Sequence, residues 1–432
     1  ITYSTALEGM PRHASTHAAG VVITDLPVTE YVPVAVNGGT IVTQFDMDTV
    51  ALLGLLKFDF LALRYLTIME NAVGQIREND PAFDLSKVDT TDPETYAAIS
   101  AGKTDGVFQL ESEGMRQMLM KLCPQSLDDV IAAIALYRPG PMDSIPKYIE
   151  ARHHPESIRY CTPKLAPILD VTYGCIVYQE QVMQIFREIA GYSFGHADVV
   201  RRAISKKKQG VLEKEQESFL SGAVSQGIAK EDAQTLFDDI VSFANYAFNK
   251  SHAAAYGVIA FRTAYLRTHY PKEYNSALLS SVLSSTGKLT EYMNECARRG
   301  IRILPPDVNH SYADFHVEDD NIRFGLMAIK NIGMNMIKGV VENRLSGGEY
   351  RDFADFIDRT ASLGWNKRQM ESLIGSGAMD SLGAKRSQLL AVYESVLDNR
   401  SRQKTDDRQI GLFEASDIPI AKPAIEYPEL PE

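Results

Sequence analysis

Lys57 and Asp59 stand two apart in Leu55-Leu56-Lys57-Phe58-Asp59-Phe60-Leu61. On a strand that spacing puts an ammonium and a carboxylate on one face, with Phe58 and Phe60 on the other. Two charges leave water only at a cost of several kcal/mol unless each is paired. The couple is therefore either a structural ion pair or a carboxylate kept to hold a hard divalent cation through oxygen. Asp46 and Asp48 form an acidic pair at strand spacing, of the kind more often found as solvated turn residues. His13 and His17 lie four apart, which suits a metal only on a helix. The small residues that follow, Ala18-Ala19-Gly20, favour a tightly packed strand start instead.

Three basic features suit phosphate. Arg201-Arg202-Ala203-Ile204-Ser205-Lys206-Lys207-Lys208 carries five positive charges in eight residues. On a helix, Arg201, Ser205 and Lys208 share one stripe and Arg202 and Lys206 its neighbour, so the alternatives are a solvated face and an anion site. In Phe248-Asn249-Lys250-Ser251-His252, Ser251 is a natural N-cap, and Lys250, His252 and the first-turn amides then converge on a positive helix end. His252, Tyr256, Thr263 and Arg267 continue a single stripe, and residues 245–272 hold four Lys or Arg and no Asp or Glu. A capped helix with a core tyrosine explains the cap but not the missing acids. Tyr137-Arg138-Pro139-Gly140-Pro141 fixes Arg138 at a rigid turn, either as surface decoration or held ready for phosphate. Gln409-Ile410-Gly411-Leu412-Phe413 is an apolar island in an acidic tail, the form of a docking peptide or of a packing anchor.

The elements that must position these residues change along the chain. Short apolar runs at Gly20 to Ile23, Tyr31 to Val36, Thr40 to Phe45 and Leu52 to Leu61, separated by Pro and Asn-Gly-Gly, predict a sheet. From Leu66 the period is helical for most of the chain, with Gly227, Ser251, Pro271 and Gly300 as punctuation. Asp319-Asp320-Asn321 reads as the turn of a short hairpin. Two helix, Gly turn, helix segments follow, one over Ala328 to Arg344 with Ile332 and Gly333 at its turn, the other over Lys367 to Leu382 with Gly375 and Gly377. They read as a pair of helix-hairpin-helix units, before a tail without periodicity.

The chain has 432 residues, 45 % of them apolar, which is enough for several packed cores. Its 44 Lys and Arg against 56 Asp and Glu give a net charge of −12, which excludes a protein that coats nucleic acid by bulk positive charge. No apolar run approaches a membrane span, and the four cysteines are too scattered for zinc or a disulfide framework. A cytoplasmic location without membrane attachment follows as the expectation.

Taken in order, His17-Ala18-Ala19-Gly20-Val21-Val22, Lys57-Phe58-Asp59-Phe60-Leu61, Val107-Phe108-Gln109-Leu110-Glu111-Ser112, Tyr137-Arg138-Pro139-Gly140-Pro141, Tyr178-Gln179-Glu180-Gln181-Val182-Met183, the Arg201 to Lys208 run, Phe248-Asn249-Lys250-Ser251-His252 and Ile303-Leu304-Pro305-Pro306-Asp307 closely resemble the alpha subunits of bacterial DNA polymerase III, the replicative family C DNA polymerases. The resemblance covers roughly residues 1 to 415. It implies a predominantly helical α+β fold. The end of the thumb and the last palm segment would lie in 1–65, the fingers in 66–325, tandem helix-hairpin-helix units in 326–403, and a flexible acidic tail with the clamp peptide in 404–432.

The resemblance further implies template-directed nucleotidyl transfer of dNTPs onto a DNA primer. Asp59 would be one carboxylate of a two-Mg²⁺ site and Lys57 its phosphate-neutralising neighbour. Arg138, Arg201, Arg202, Lys206, Asn249, Lys250, His252 and Tyr256 would bind the incoming nucleotide. Lys207, Lys208, Ile332, Gly333, Gly375 and Gly377 would contact duplex DNA, and Gln409, Ile410, Leu412 and Phe413 a sliding clamp. Primer-template DNA, the clamp and other replicase subunits are the implied partners. The family's Pro-Asp-x-Asp-x-Asp strand and Gly-Ser phosphate loop do not occur in these residues, so the chain is expected to be a central fragment, inactive alone. The alternatives are a DNA and clamp adaptor without catalysis, and a metal phosphoesterase built on His13, His17, Asp46 and Asp48.

Overall fold

The computed structural model describes residues 2–8, 10, 15–205, 209–244, 247–406 and 425–431. The chain divides into two compact units, Ile1–Arg64 and Tyr65–Glu432.

In the first unit, β1 (Gly20–Ile23), β2 (Val34–Asn37), β3 (Thr40–Thr43) and β4 (Leu56–Asp59) form two separate antiparallel ribbons, β1 with β4 and β2 with β3. The β2–β3 turn is Gly38-Gly39, both at positive φ (57° and 84°), the mirror-image turn whose twist matches paired strands. Two sequence expectations fail here. The runs from Tyr31 and from Leu52 yield only four-residue strands, and Asp46 and Asp48 lie on no strand. Asp46 caps the Met47–Leu52 helix, its Oδ1 accepting the Thr49 N–H at 2.8 Å, and Asp48 falls in that helix's first turn. A short acceptor three residues before a free amide is worth more as a helix cap than as a strand residue.

The second unit is predominantly helical, with one small sheet, so the whole is α+β. Its centre is the Lys250–His269 helix against the Leu127–Leu136 helix. Ala253, Gly257, Ala260 and Ala264 are buried at helical spacing and let the two backbones approach closely. A Cβ on Gly257 would come within 2.5 Å of Ile131 Cγ1, so nothing larger fits without movement. A second core gathers Phe186, Phe219 and Phe237, with the Phe186 and Phe219 rings 5.3 Å apart. A parallel bridge between Tyr178 and Phe248 ties this core to the central helix.

β5 (Ile303–Leu304), β6 (His316–Glu318) and β7 (Asn321–Arg323) form a sheet in the order β5-β7-β6, and Asp319 at φ 52° makes the β6–β7 turn. Beyond it, Val308, Phe353, Phe356, Met370, Leu373 and Leu389 share a third core under the Met334–Gly347, Phe353–Thr360, Lys367–Ser376 and Arg386–Asp406 helices. No described helix is long and apolar enough to cross a membrane.

Candidate functional site

Strand alternation brings Lys57 and Asp59 together as read from the sequence. Lys57 Nζ lies 2.6 Å from Asp59 Oδ1, and this bond is the main reason that the Asp59 carboxyl titrates below its usual range. His17 Nδ1 stands 3.9 Å from the same oxygen and also accepts the Ala19 N–H at 3.1 Å. Gly20 allows the cluster: a Cβ there would meet His17 Nδ1 at 2.8 Å and Asp59 Oδ1 at 3.1 Å. Phe58 and Phe60 do take the opposite face, but both are exposed, at 43 % and 65 %.

As a metal centre the set is incomplete. Among the described residues no three His, Cys, Asp or Glu side chains converge to hold an ion. Asp59 offers one carboxylate, and an ammonium already stands against it. These residues do not by themselves fit a metal. Of the phosphoesterase grouping, Asp46 is spent as a cap, Asp48 lies in the same helix's first turn, and His13 lies outside the described residues.

In the second unit, the features read separately at Arg138, Tyr178–Glu180 and Phe248–His252 meet at one place. The Arg138 guanidinium lies 3.7 Å above the Phe248 ring. From Phe248 the rings step to His252 (5.3 Å), Tyr256 (4.1 Å from His252) and Phe108 (5.1 Å from Tyr256). Gln179 N–H donates to Phe248 O at 2.9 Å and its side chain to Ala247 O, so the start of the Gln179–Ala190 helix is fastened to the segment entering the Lys250–His269 helix.

The cap of that second helix differs from the sequence reading. Asn249, not Ser251, is the N-cap, its Oδ1 accepting the His252 N–H at 2.8 Å. The bridge to Tyr178 holds Phe248 extended, so the first helical residue is Lys250 and Ser251 lies inside the first turn. The helix end also meets an acid from elsewhere: Lys250 N–H lies 3.1 and 3.0 Å from the two Glu180 carboxylate oxygens, and Asn249 Nδ2 donates to the first of them. The stripe of His252, Tyr256, Thr263 and Arg267 is a common surface only at its start. Thr263 is fully buried, and Arg267, 4 % exposed, pairs with Glu295 at 2.7 Å and Asp105 at 3.5 Å.

The basic run is partly spent within its own helix, Phe194–Ser205. Asp198, three and four residues before them, pairs with both Arg201 and Arg202 at 2.7 Å, and the Arg201 bond is the chief cause of its lowered pKa. Arg201 also donates to Gln179 Oε1 at 3.0 Å, which leads back to the Phe248 cluster, whereas Arg202 remains largely exposed. Lys206, Lys207 and Lys208 lie outside the described residues.

In the hairpin units, Ile332 is buried in the core, which leaves Gly333, exposed and capping the Met334–Gly347 helix without a side chain, as the accessible part of that turn. The element before it is only a short 3₁₀ turn, Leu326–Ala328. Gly375 sits inside the Lys367–Ser376 helix, not at its turn. The left-handed position that ends the helix is Gly377, at φ 85°, where glycine is free of the Cβ penalty. Asn331 Nδ2 donates to Ser372 Oγ, tying the first turn to the helix of the second. Gln409, Ile410, Leu412 and Phe413 lie outside the described residues.

Glu180 and Asp198 went unassigned in the sequence reading. Asp198 was legible there, as an acid three and four residues before two arginines. Glu180 reaches its partners across some seventy residues of chain, and only the Tyr178–Phe248 bridge reveals it.

The sequence is similar to that of known proteins. Residues 65–227 match the family described as the bacterial DNA polymerase III alpha subunit finger domain. Residues 1–62 match the bacterial DNA polymerase III alpha NTPase domain, and residues 300–389 a helix-hairpin-helix motif. The chain belongs to the family of bacterial DNA polymerase III alpha subunits. It is 44 % identical over 427 residues to the DNA polymerase III subunit alpha of Bacillus subtilis, covering 98 % of this chain and 38 % of that one. With the Thermus aquaticus subunit it shares 45 % identity over 426 residues, 96 % of this chain and 35 % of that one. The chain thus spans just over a third of the length of these relatives.

Proposed function

We propose that this chain supplies the nucleotide-handling and duplex-holding parts of a DNA-directed DNA polymerase that adds dNTPs to a primer on a DNA template. The observation that carries the reading is the Arg138, Phe248, Lys250 and His252 cluster at the start of the Lys250–His269 helix. It combines a helix N-terminus, two cations and a run of contacting rings in a stretch with no acid of its own. A triphosphate needs the first two, and a base pair needs the third. In this reading Arg138, Asn249 and Lys250 take phosphate oxygens, His252 and Tyr256 face the nascent pair, and Arg201, Arg202 and Lys206 extend the cationic side.

Asp59 is read as one carboxylate contributed to a two-Mg²⁺ centre whose other ligands are not among the described residues, with Lys57 as its charge partner. The turns at Gly333 and Gly377, with Lys207 and Lys208, hold duplex backbone without reading sequence. Gln409 to Phe413 is the clamp peptide, and other replicase subunits complete the set of partners, in the cytoplasm.

The test is Asp59→Asn in the full-length polymerase, which should abolish primer extension while leaving duplex binding within about twofold. Extension that survives the change removes the catalytic assignment. Arg138→Ala in the same protein should raise the KM for dNTP far more than the Kd for DNA. Equal effects on both would shift Arg138 from nucleotide to duplex.

A further inference from the structure

Glu180 holds the place that the proposed function gives to phosphate. Its two carboxylate oxygens lie 3.1 and 3.0 Å from Lys250 N, the first free amide of the Lys250–His269 helix, and Asn249 Nδ2 closes on Oε1 at 3.1 Å. The Asn249 amide is locked, because its Oδ1 is committed to the His252 N–H at 2.8 Å and only its NH₂ is free to meet the acid. Glu180 is also the second residue of the Gln179–Ala190 helix. One carboxylate therefore stands at the positive ends of two helices, each equivalent to about half an elementary charge.

The surroundings exceed what one carboxylate neutralises. Lys250 Nζ lies 5.4 Å over the Tyr178 ring and has no carboxylate ion pair among the described residues. The Arg138 guanidinium rests on Phe248, one residue before Asn249. Glu180 itself is only partly buried, so solvent and a ligand can reach it.

We propose that Glu180 is a resident anion in the phosphate cradle: with no nucleotide present it keeps the Asn249 and Lys250 donors ordered, and an incoming triphosphate displaces it. Glu180 is thus a positioning residue that sets nucleotide affinity, and a competitor for the donors it organises. The inference rests on the proposed function, because it takes the start of the Lys250–His269 helix to be the triphosphate site. A residue that merely props up the helix would, when neutralised, weaken ligand binding or leave it unchanged. A competitor does the reverse. Glu180→Gln keeps an acceptor of the same shape and removes the charge, and Glu180→Ala removes both.

The experiment is calorimetric titration of the 432-residue chain with inorganic triphosphate. Glu180→Gln should tighten binding on the order of tenfold, the scale of one charge-assisted hydrogen bond returned to the ligand. Glu180→Ala should tighten it in the same direction, and Lys250→Ala should weaken it. Binding that needs Lys250 but is unchanged or weakened in both Glu180 variants overturns the displacement while leaving the phosphate site in place. An absence of binding in every variant, or binding indifferent to Lys250, removes the phosphate site itself and the proposal with it.

Discussion

The Arg138 guanidinium carbon lies over the Phe248 ring, 3.7 Å from its centre, and so hangs beside the residue that caps the Lys250–His269 helix. The turn that holds it contains Gly140 at φ 103°, a conformation that side-chain-bearing residues rarely adopt. Such a cation–π contact contributes about 0.5 to 2 kcal/mol and, more usefully, fixes the direction of a long side chain. Phe248→Leu should therefore weaken triphosphate binding several-fold without removing it, whereas Arg138→Ala should weaken it by more than tenfold. Equal losses in a calorimetric titration would mean that Phe248 acts through the helix cap instead of through Arg138.

Gly257 sets the distance between the two central helices. A Cβ there meets Ile131 Cγ1 at 2.5 Å, and Ile131 sits in a helix buried from Asp129 to Leu136. Gly257→Ala adds helix propensity yet overpacks the contact, and the second effect should win, with a net loss of about 1 to 3 kcal/mol. Urea unfolding measures it. A stabilised variant would mean that the helices separate freely.

These two contacts mark where the sequence was legible. Small residues at helical spacing announce a close helix pair, and Pro-Gly-Pro announces a rigid turn, because each acts on its own backbone. Charge balance was misread for the opposite reason. The window from 245 to 272 contains no acid, but Glu180 reaches its first residues and Asp105 and Glu295 reach Arg267 through space. A count along the chain cannot register partners that folding brings in. The Ser251 cap failed likewise: Asn and Ser are comparable caps, and the choice fell to a bridge between Tyr178 and Phe248 that no local pattern encodes.

Arg267 shows what that misreading hid. Its guanidinium is 4 % exposed and bonds Lys103 O, Asp105 O and Glu295 Oε1 at 2.7 to 2.8 Å, so it fastens the central helix to the 103–105 loop and to the Thr286–Arg298 helix. Arg267→Met would leave two carbonyls without their donor and the partly buried Glu295 carboxylate with Arg298 alone. Removing one partner of a buried pair costs about 3 to 5 kcal/mol. The unfolding midpoint should fall accordingly, with nucleotide affinity altered only through the folded fraction. A variant that folds normally but binds no triphosphate would return Arg267 to the site.

Glu318 and Arg323 give a pH signature. They meet diagonally across the β6–β7 hairpin with two hydrogen bonds of 2.6 Å, and the Arg323 bond lowers the Glu318 pKa from its ordinary 4.5. His310 Nδ1 lies 3.6 Å from the same carboxylate, and His316, paired with Glu78 at 3.2 Å, adds its field from β6. A folded pKa below the unfolded value means that the native state binds the proton less readily. The stabilisation is therefore fully present above pH 4.5 and is lost as the pH falls through the lowered folded value. The arginine keeps its charge throughout, so the loss on acidification follows the protonation of Glu318. Glu318→Gln should lower the thermal midpoint by a few degrees at pH 7, and the gap from the parent chain should close as the pH drops below the ordinary carboxylate range. A gap that persists undiminished at pH 3 would show that shape, not charge, holds the hairpin.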